Sequence, residues 1–489
     1  MNITEPLRRN AQLAPDTVAV IHAGQAVTYR ELNRIIDALA ARISSLGLQP
    51  GDAAGITVRS RYGHLMLTLA LAPLGVAAAI SRTIAEGLGG VALKARFVDA
   101  ASGAGAGAGG VTVDGTWWRS PAAAEEVAAM PSHADGKAIC LIVASSGTTG
   151  TPKAIALSHD LLRTRLLAKW LAIRTPGAAR QACLLGTDIA YGFYSNLQVL
   201  WTGGLLALGL KPEEMHVAIE SHRLNCLVMS PAQLDALLGA LPATAGPFAS
   251  LEIVEVSGSA LSRRLAGRAR ARLCANIHSG YGAAEAGFVA SAPAALAERH
   301  PGAAGFIAPG VEVQAVDGEG RPLPPGTEGA LRIRSENCVA AYLGDAEASA
   351  ATFRDGWFYP GDIGSVSDNG MLSLAGRSGE LINAGGVKTS PQAIEEVVLM
   401  HPDVRDAAAF AVQKAATGAQ EIWVAIVQDK PVDTKALRAL CVEKLGGKAP
   451  KSFLLVKALP RNENGKVLRD KLARMAGSAK KTGEREKAP

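Results

Sequence analysis

The sequence predicts an α/β protein: a large N-terminal domain of layered α/β subdomains that includes a small β-rich subdomain, and a small α+β C-terminal domain. Three observations lead to this fold class. Strand-like and helical patterns alternate up to about residue 300, short β-type runs between Gly/Pro turns follow, and a new βα pattern starts after residue 376. With 489 residues, 48% of them hydrophobic, the chain can also build more than one core.

The N-terminal part alternates amphipathic helices with apolar strands. Apolar residues at helical spacing follow Thr28, and Glu31 stands three residues later, as in a capping box. The predicted helices cover 28–46, 65–80 and a segment from residue 158, and the predicted strands cover 53–58, 139–144 and 154–157. Residues 103–110 contain a formal G-x-G-x-x-G, but a strand-like Val-Thr-Val follows where a dinucleotide site needs a helix, which favours a flexible loop.

The pattern of strand-like and helical residues changes twice in the C-terminal third. Strand-like runs at 311–316 and 330–333 flank a Gly/Pro-rich turn and predict hairpins. After residue 376, Ser390 and Pro391 open a predicted helix, strands are predicted at 407–412 and 422–427, and a helix at 434–445. The predicted domains are therefore 1–376, with the β-rich subdomain at about 301–376, then 377–476, and a disordered basic tail at 477–489.

Composition excludes several classes of protein. The six cysteines stand far apart without a C-x-x-C or a metal-like Cys/His cluster, which is typical of reduced, buried thiols in a cytoplasmic protein. The N-terminus lacks a signal-peptide core, and the longest apolar run, 65–80, is too short to insert into a membrane. The net charge of +6 is spread out and not interleaved with aromatics, so nucleic acid is not an expected partner, whereas an anionic small molecule or an acidic carrier protein is compatible.

A glycine- and hydroxyl-rich loop ending in a lysine lies between two apolar runs at residues 142–153. Gly147 and Gly150 permit positive φ and bring backbone N–H groups close to an anion, and Lys153 adds a positive charge. The loop does not match the usual nucleotide P-loop, because Pro152 and Ala154 replace the required Gly and Ser/Thr. Its composition suits a polyphosphate and, equally, a polar surface turn.

Three later motifs carry weaker signals of the same kind. Residues 281–285 place an aromatic ring, a flexible joint and a carboxylate together, which suits a base and a divalent cation or an ordinary turn. Asp362 follows a turn, where it could accept hydrogen bonds from two vicinal hydroxyls or cap an element. Lys466 stands just past a glycine near the C-terminus, where a solvated charge is the ordinary alternative.

In order and spacing, these motifs resemble the adenylate-forming superfamily of acyl-CoA synthetases, aryl-CoA ligases, peptide-synthetase adenylation domains and beetle luciferases. The resemblance extends over about residues 7–472. Residues 145–153 resemble the phosphate loop of that family, 258–260 its adenine-side strand end, 281–285 its aromatic-Gly-x-Thr-Glu motif and 361–362 its ribose-binding Gly-Asp. The segment from Gly376 to Glu395 is similar to the hinge-and-tunnel motif, and 460–469 to the catalytic lysine motif.

The resemblance implies an enzyme that uses ATP and Mg²⁺ to convert a carboxylic acid to an acyl-adenylate, and then passes the acyl group to the thiol of CoA. Lys466 and Glu285 would be catalytic, with Lys466 between the carboxylate and the α-phosphate and Glu285 near the metal. The other implied nucleotide contacts are Ser145, Ser146, Gly147, Thr148, Thr149, Gly150 and Lys153 for the phosphates, and Gly258, Ser259, Ala260, Tyr281, Gly282, Asp362 and Arg377 for adenine and ribose. The C-terminal domain would be mobile, turning about Gly379 to bring Gly386 beside a tunnel for the thiol.

The acyl pocket implied by the resemblance is apolar or small and has no obvious acid. It would be lined by Ile189, Tyr191, Phe193, Met229 and Gly280. This lining disfavours an amino acid, whose ammonium group needs a buried carboxylate, and favours an aromatic or medium-chain acid.

The chain departs from the family pattern at three positions. Ala284 replaces a usual Thr or Ser, Gly379 a usual Asp or Lys, and Ile189 a frequent His. The alternatives are therefore a ligase that loads a carrier protein, or a catalytically impaired acyl- or nucleotide-binding relative.

Overall fold

The computed structural model describes residues 1–82, 90–100, 109–122, 129–130, 132–133, 135–145, 152–173, 176–177, 179–300, 302–384, 387–413, 420–428, 430–461 and 467–482. Elements within these ranges are numbered in chain order. The helices are α1 (Glu5–Leu13), α2 (Tyr29–Ser44), α3 (Arg61–Leu71), α4 (His159–Ile173), α5 (Ala190–Trp201), α6 (Met215–Ser221), α7 (Pro231–Ala240), α8 (Arg263–Arg272), α9 (Ala294–Arg299), α10 (Ala346–Thr352), α11 (Pro391–Val398), α12 (Thr434–Leu445) and α13 (Arg469–Thr482).

The strands follow the same numbering. They are β1 (Val18–His22), β2 (Gln25–Thr28), β3 (Ala53–Thr57), β4 (Ala77–Ala79), β5 (Ala95–Asp99), β6 (Gly110–Val113), β7 (Ile139–Ala144), β8 (Ala154–Ser158), β9 (Arg180–Cys183), β10 (Leu205–Leu208), β11 (Cys226–Met229), β12 (Ile253–Ser257), β13 (Ile277–Ala283), β14 (Gly287–Pro293), β15 (Ala303–Ile307), β16 (Val311–Val316), β17 (Gly329–Ser335), β18 (Phe353–Arg354), β19 (Trp357–Phe358), β20 (Asp362–Val366), β21 (Met371–Arg377), β22 (Ile382–Ala384), β23 (Val387–Thr389), β24 (Val404–Gln413), β25 (Gln420–Gln428) and β26 (Ser452–Leu455).

The first sheet carries the glycine-rich loop at one end. Its strand order is β6-β5-β3-β4-β7-β8, parallel except for the antiparallel pair β7–β8 that flanks the loop.

The predicted capping box is present, since Thr28 accepts from the backbone N–H of Glu31 and Glu31 accepts from the backbone N–H of Thr28. The predicted helix over 65–80 is wrong in its second half. Helix α3 ends at Leu71, because Pro73 cannot continue it, and the apolar run goes on as the buried strand β4.

The second sheet is larger and positions most of the remaining motifs. Its order is β18-β19-β17-β20-β21-β15-β14-β13-β12-β11-β9-β10-β1-β2, with β16 paired to β17. Strands β10, β9, β11, β12 and β13 are parallel, and the strands from β14 to β21 pair antiparallel. The segment predicted to be β-rich contains strands β15 to β21 and the antiparallel pair β16–β17. It is not a separate sheet, because β15 pairs with both β14 and β21 and so continues the central one.

The C-terminal part packs around its own apolar core. Strands β24, β25 and β26 form a three-stranded sheet covered by α11 and α12, and Ile394, Val424 and Leu437 are completely buried there. The predicted helix starting at Ser390 and Pro391 and the one at 434–445 are both confirmed.

Both ends of the predicted C-terminal domain differ from the structure. Arg377 is still part of β21 in the large sheet, so the boundary set after residue 376 cuts that strand at its last residue. Helix α13 continues to Thr482, so the first residues of the tail predicted as disordered are helical, and 483–489 lie outside the described residues.

Two composition-based expectations can be compared with the structure. All six cysteines are free thiols, and all but Cys338 are buried. Among the described residues, no helix combines the length and the apolar character needed to cross a membrane.

Candidate active site

Asp362 joins two of the predicted nucleotide-binding residues. It is 6% exposed, and its carboxylate accepts a 2.5 Å hydrogen bond from the hydroxyl of Tyr281 at Oδ2 and a 2.9 Å ion-pair contact from Nε of Arg377 at Oδ1. Burial, and secondly the charge of Asp362, raise the pKa of Tyr281 well above its usual value, so the phenol remains a donor. A carboxylate has about four acceptor positions, so further hydroxyl donors such as those of a ribose can still bind.

The predicted adenine-side residues lie next to Tyr281. In the parallel pair β12–β13, Ser257 is the register partner of Gly280, so Gly258, Ser259 and Ala260 leave the sheet beside Tyr281. Gly258 has φ +97°, a conformation that favours glycine, and the segment it starts is largely exposed. The structure thus brings this strand end, the tyrosine and the carboxylate together at the carboxyl edge of the parallel strands, where open α/β sheets commonly bind ligands.

Gly282 allows the chain to turn sharply between Tyr281 and Glu285. A Cβ atom there would lie 2.3 Å from the carbonyl oxygen of Gly287, which no side chain can accommodate. The close approach follows from the antiparallel pairing of β13 with β14 across this turn. The glycine therefore sets the distance between the ring and the carboxylate of the motif.

Glu285 is held from two sides by residues that the sequence analysis did not identify. Tyr342 donates a 2.9 Å hydrogen bond to Oε1 of Glu285, and the backbone N–H of Val339 donates to the Glu285 carbonyl at 2.9 Å. The guanidinium of Arg165, 2% exposed, donates to the carbonyls of Ala284 and Glu285, both at 2.9 Å. The turn that carries the carboxylate is therefore fixed in position through its backbone as well as its side chain.

Tyr342 also connects Glu285 to the glycine-rich loop. The Nζ atom of Lys153 lies 4.9 Å from the centre of the Tyr342 ring, within the range of a cation–π contact. The next residue, Leu343, donates its N–H to the carbonyl of Ala154 at 2.8 Å. Tyr342 therefore contacts both Lys153, predicted to bind the phosphates, and Glu285, predicted to bind the metal.

The described ends of the loop are closed by two hydrogen bonds. The N–H of Ser145 donates to the carbonyl of Lys153 at 2.8 Å, and the N–H of Lys153 donates to Oγ of Ser145 at 3.2 Å. Ser146, Gly147, Thr148, Thr149 and Gly150 lie outside the described residues, as do Lys466 and Gly386. Their predicted roles stay predictions.

The donor set around Glu285 fits Mg²⁺. The ion prefers hard oxygen ligands and is often held by one or two carboxylates together with substrate phosphates. Glu285 is 8% exposed and its Oε1 accepts from Tyr342, so Oε2 is the oxygen that would bind the ion. Lys153 on the same tyrosine supplies positive charge for the phosphates that would share the ion.

The predicted acyl-pocket residues are only partly brought together. The ring of Tyr191 stacks on Phe288 with centroids 6.5 Å apart, and a Cβ at Gly280 would lie 3.1 Å from the Phe288 ring. Ile189 directly precedes α5 as its N-cap residue. Tyr191 and Gly280 therefore meet at Phe288, and Ile189 stands two residues before Tyr191 at the start of the same helix.

Phe193 and Met229 do not belong to that group. Both are 0% exposed. Phe193 packs in a core cluster that includes residues of both the first and the large sheet, and Met229 packs in the cluster on the opposite face of the large sheet from Tyr191. Met229 lies on the other face because side chains alternate along a strand, and its neighbour Val228 is on the face that packs with Tyr191 and Phe288.

Gly379 occupies an open position where the chain leaves the large sheet. It lies in the short 3₁₀ turn Ser378–Glu380 after β21, and no atom lies within 4 Å of the place where its Cβ would be. Gly376, by contrast, has φ +141° and a Cβ there would lie 2.8 Å from Oγ of Ser390, at the start of α11. The chain is thus tightly packed at Gly376, before the predicted hinge, and has no close neighbours at Gly379, the predicted hinge itself.

The fold and this arrangement of groups define a class of protein, an adenylate-forming ligase. Residues 7–343 match the AMP-binding enzyme family and residues 393–466 match the AMP-binding enzyme C-terminal domain, so the chain belongs to the AMP-binding enzymes. The resemblance inferred from the motifs is thereby confirmed.

Similar proteins cover nearly the whole chain. It is 28% identical to a feruloyl-CoA synthase from Amycolatopsis sp over 96% of this chain and 98% of that protein, and 26% identical to a 4-chlorobenzoate–CoA ligase from Arthrobacter sp over 96% and 94%. Among solved structures, the amide bond synthetase McbA from Marinactinospora thermotolerans superimposes with a TM-score of 0.84 over 97% of this chain and 99% of that one, at 24% identity. The structural likeness confirms the predicted fold class.

Proposed function

We propose that the protein is an ATP-dependent acid–CoA ligase that forms an acyl-adenylate and then a CoA thioester. The observation that carries the proposal is the connection of two polar clusters through one short turn. Tyr281 donates to Asp362, which pairs with Arg377. Glu285, four residues after Tyr281, accepts from Tyr342 beside Lys153. A nucleotide held at the first cluster would place its phosphates towards the second.

The adenylation step follows from the charges of these groups. A carboxylate is a poor electrophile and is repelled by the α-phosphate, so the site must neutralise both anions while pyrophosphate leaves. Asp362 would accept the ribose hydroxyls, Tyr281 would lie against the base, and Lys153 would hold the outer phosphates. Mg²⁺, when bound near Glu285, would screen the negative charge of the phosphates. Lys466 would bridge the substrate carboxylate and the α-phosphate.

An aromatic acid is the substrate class that the pocket supports best. The stacked rings of Tyr191 and Phe288 offer a flat apolar wall next to Gly280. Two relatives of nearly full length are named for aromatic acids, ferulate and 4-chlorobenzoate. A medium-chain acid would bury the same apolar surface without ring stacking.

ATP–pyrophosphate exchange with a panel of carboxylic acids tests the adenylation step. We expect exchange that depends on the acid, and strongest with aromatic acids. If no acid supports exchange in the folded protein, the chain is a non-catalytic binding relative and the proposed function is wrong.

The acceptor is tested separately, by adding CoA, a phosphopantetheinyl carrier protein or a primary amine to the adenylating enzyme. We expect the CoA thioester as the product. A carrier protein is the second candidate, because the enterobactin and pseudomonine synthase components are also relatives over most of this chain. Acylation of the carrier but not of CoA would assign the enzyme to that class.

A further inference from the structure

The large N-terminal domain and the C-terminal domain are in contact without sharing an apolar core. Among the described residues, each apolar cluster lies entirely before Arg377 or entirely after it. Domains move relative to each other unless the interface between them is large and apolar. The polar contacts across this interface therefore decide which orientation of the two domains is favoured.

One side chain of the large domain binds the backbone of the C-terminal domain. Arg264, in the first turn of α8, donates from Nη1 to the carbonyl of Pro402 at 2.6 Å and also to the carbonyl of Val404. Pro402 lies between α11 and β24, and Val404 is the first residue of β24. Hydrogen bonds weaken steeply with distance and angle, so these bonds exist only while the C-terminal domain lies against α8.

A second polar contact lies beside the first, on α11. Glu396 accepts a hydrogen bond from the backbone N–H of Gly302, which immediately precedes β15, and is close to the charge of Arg263. Burial raises the pKa of Glu396, and these two contacts oppose the shift. The surfaces of α8 and α11 still leave a cavity of about 340 Å³ between them, lined by Ser262 and Met400 among others. The interface is thus polar and loosely packed.

We propose that Arg264 is a positioning residue that holds the C-terminal domain in one of the two orientations that the reaction needs. It thereby sets the balance between adenylation and thioester formation. The inference rests on the proposed function, in which the C-terminal domain turns between the half-reactions, and it names the contact that must break when the domain turns.

The expected effect follows from a shift between two populations. A contact present in only one orientation favours that orientation, and its loss moves molecules to the other one. The half-reaction that uses the orientation seen here therefore slows in the absence of Arg264, and the other half-reaction becomes faster. A residue that only stabilises the fold would not move the two rates in opposite directions.

The test measures both half-reactions in Arg264→Met. ATP–pyrophosphate exchange gives the rate of adenylation, and a supplied acyl-adenylate with CoA gives the rate of thioester formation. We expect the ratio of the two rates to change roughly tenfold, the effect of one hydrogen bond from a charged donor. Arg264→Lys keeps a charged donor and should recover most of the original ratio. Arg268→Met is the matched control, because Arg268 lies on the same helix and pairs with Asp235 inside the large domain.

Two further measurements separate domain positioning from other effects. Hydrogen exchange followed by mass spectrometry should become faster in residues 399–405 of Arg264→Met, and should stay unchanged there in Arg268→Met. The KM for ATP should also stay unchanged in Arg264→Met. It is measured because Arg264 follows the predicted adenine segment, 258–260, by only four residues.

The inference and the proposed function fail in different experiments. If no acid supports exchange, the proposed function is wrong, and the hydrogen exchange of 399–405 alone decides whether Arg264 holds the domains together. If exchange occurs but Arg264→Met changes neither the ratio of the two rates nor this hydrogen exchange, the inference is overturned while the function stands. Equal losses in both half-reactions with a raised KM for ATP would also overturn it, because they indicate a disturbed adenine segment.

Discussion

Asp362 and Arg377 are cross-strand register partners in β20 and β21, and their side chains form an ion pair of 2.9 Å at the point where the chain leaves the large sheet. The pair connects the predicted ribose site to the segment that leads to the C-terminal domain. Since Asp362 also accepts from the Tyr281 hydroxyl, one carboxylate orients both Tyr281 and Arg377, which are predicted to contact the nucleotide.

Asp362→Asn is expected to weaken ATP binding. The amide keeps the shape of the side chain but is no longer a charged acceptor, and hydrogen bonds to charged groups contribute about 1.5–3 kcal/mol. We therefore expect the KM for ATP to rise roughly 10- to 100-fold in the exchange assay. Glu312→Gln is the matched control, because Glu312 forms an exposed cross-strand pair with Arg334, and such pairs contribute little. An unchanged KM in folded Asp362→Asn would exclude Asp362 from the ribose site.

Tyr342→Phe is expected to weaken metal binding more than nucleotide binding. The substitution removes the hydrogen bond to Oε1 of Glu285 but keeps the ring beside Lys153. We expect the Mg²⁺ concentration for half-maximal exchange to rise several-fold, and Mn²⁺ binding to the enzyme–ATP complex, followed by electron paramagnetic resonance, to weaken in parallel. Glu285→Gln should show a larger effect of the same kind. If Glu285→Gln alters metal dependence and Tyr342→Phe does not, Tyr342 has no role in positioning the carboxylate.

Local signals explain most of what the sequence predicts correctly. The cap at Thr28, the helix start at Ser390 and Pro391, and the helix at 434–445 depend on neighbouring residues, so short windows suffice to recognise them. The 65–80 run shows the limit of such windows. A buried helix and a buried parallel strand are both continuously apolar, and only Pro73 and Gly75 indicate where one ends and the other begins.

The site residues that the sequence analysis missed act over long separations. Tyr342 donates to the Glu285 carboxylate from 57 residues further along the chain. Arg165 donates to the Glu285 carbonyl from 120 residues before it. Glu255 is a single acid in an apolar strand, and its pairing with Lys169 depends on how α4 packs on the sheet. One usable signal was present: Arg165 and Lys169 are four residues apart in 165–173, which is otherwise apolar, and buried charges generally require partners.

Lys466→Ala is expected to separate the two half-reactions. If Lys466 bridges the carboxylate and the α-phosphate, its removal should slow adenylate formation about a hundredfold or more, because it loses electrostatic stabilisation of the transition state. Thioester formation from a supplied acyl-adenylate should change far less. Lys457→Ala, an exposed lysine of the same domain, serves as the control. Equal losses in both half-reactions would remove Lys466 from this role.

Stability should decrease in mild acid through His159. This side chain is 1% exposed, accepts a hydrogen bond from the N–H of Ile3, and has its pKa lowered to about 4, chiefly by burial. Between pH 6.5 and about 4 the unfolded chain protonates this histidine and the folded one does not, so stability falls as the pH falls, by at most about 1.4 kcal/mol per pH unit. Thermal melts from pH 7 to 4.5 measure the slope. His159→Gln should flatten it and the exposed His300→Gln should not; equal slopes in all three proteins would contradict the assignment.

Gly379→Asp is expected to change the thioester step more than adenylation. No atom lies within 4 Å of the added Cβ and the glycine does not have a positive φ, so the substitution restricts the backbone without creating a clash. If the C-terminal domain turns here between the half-reactions, a stiffer hinge alters the rate of thioester formation from a supplied acyl-adenylate while exchange stays within a few-fold of the original. Gly447→Asp, an equally open glycine of the C-terminal domain, controls for loss of glycine alone. No change in either half-reaction would show that movement at this position does not limit the enzyme.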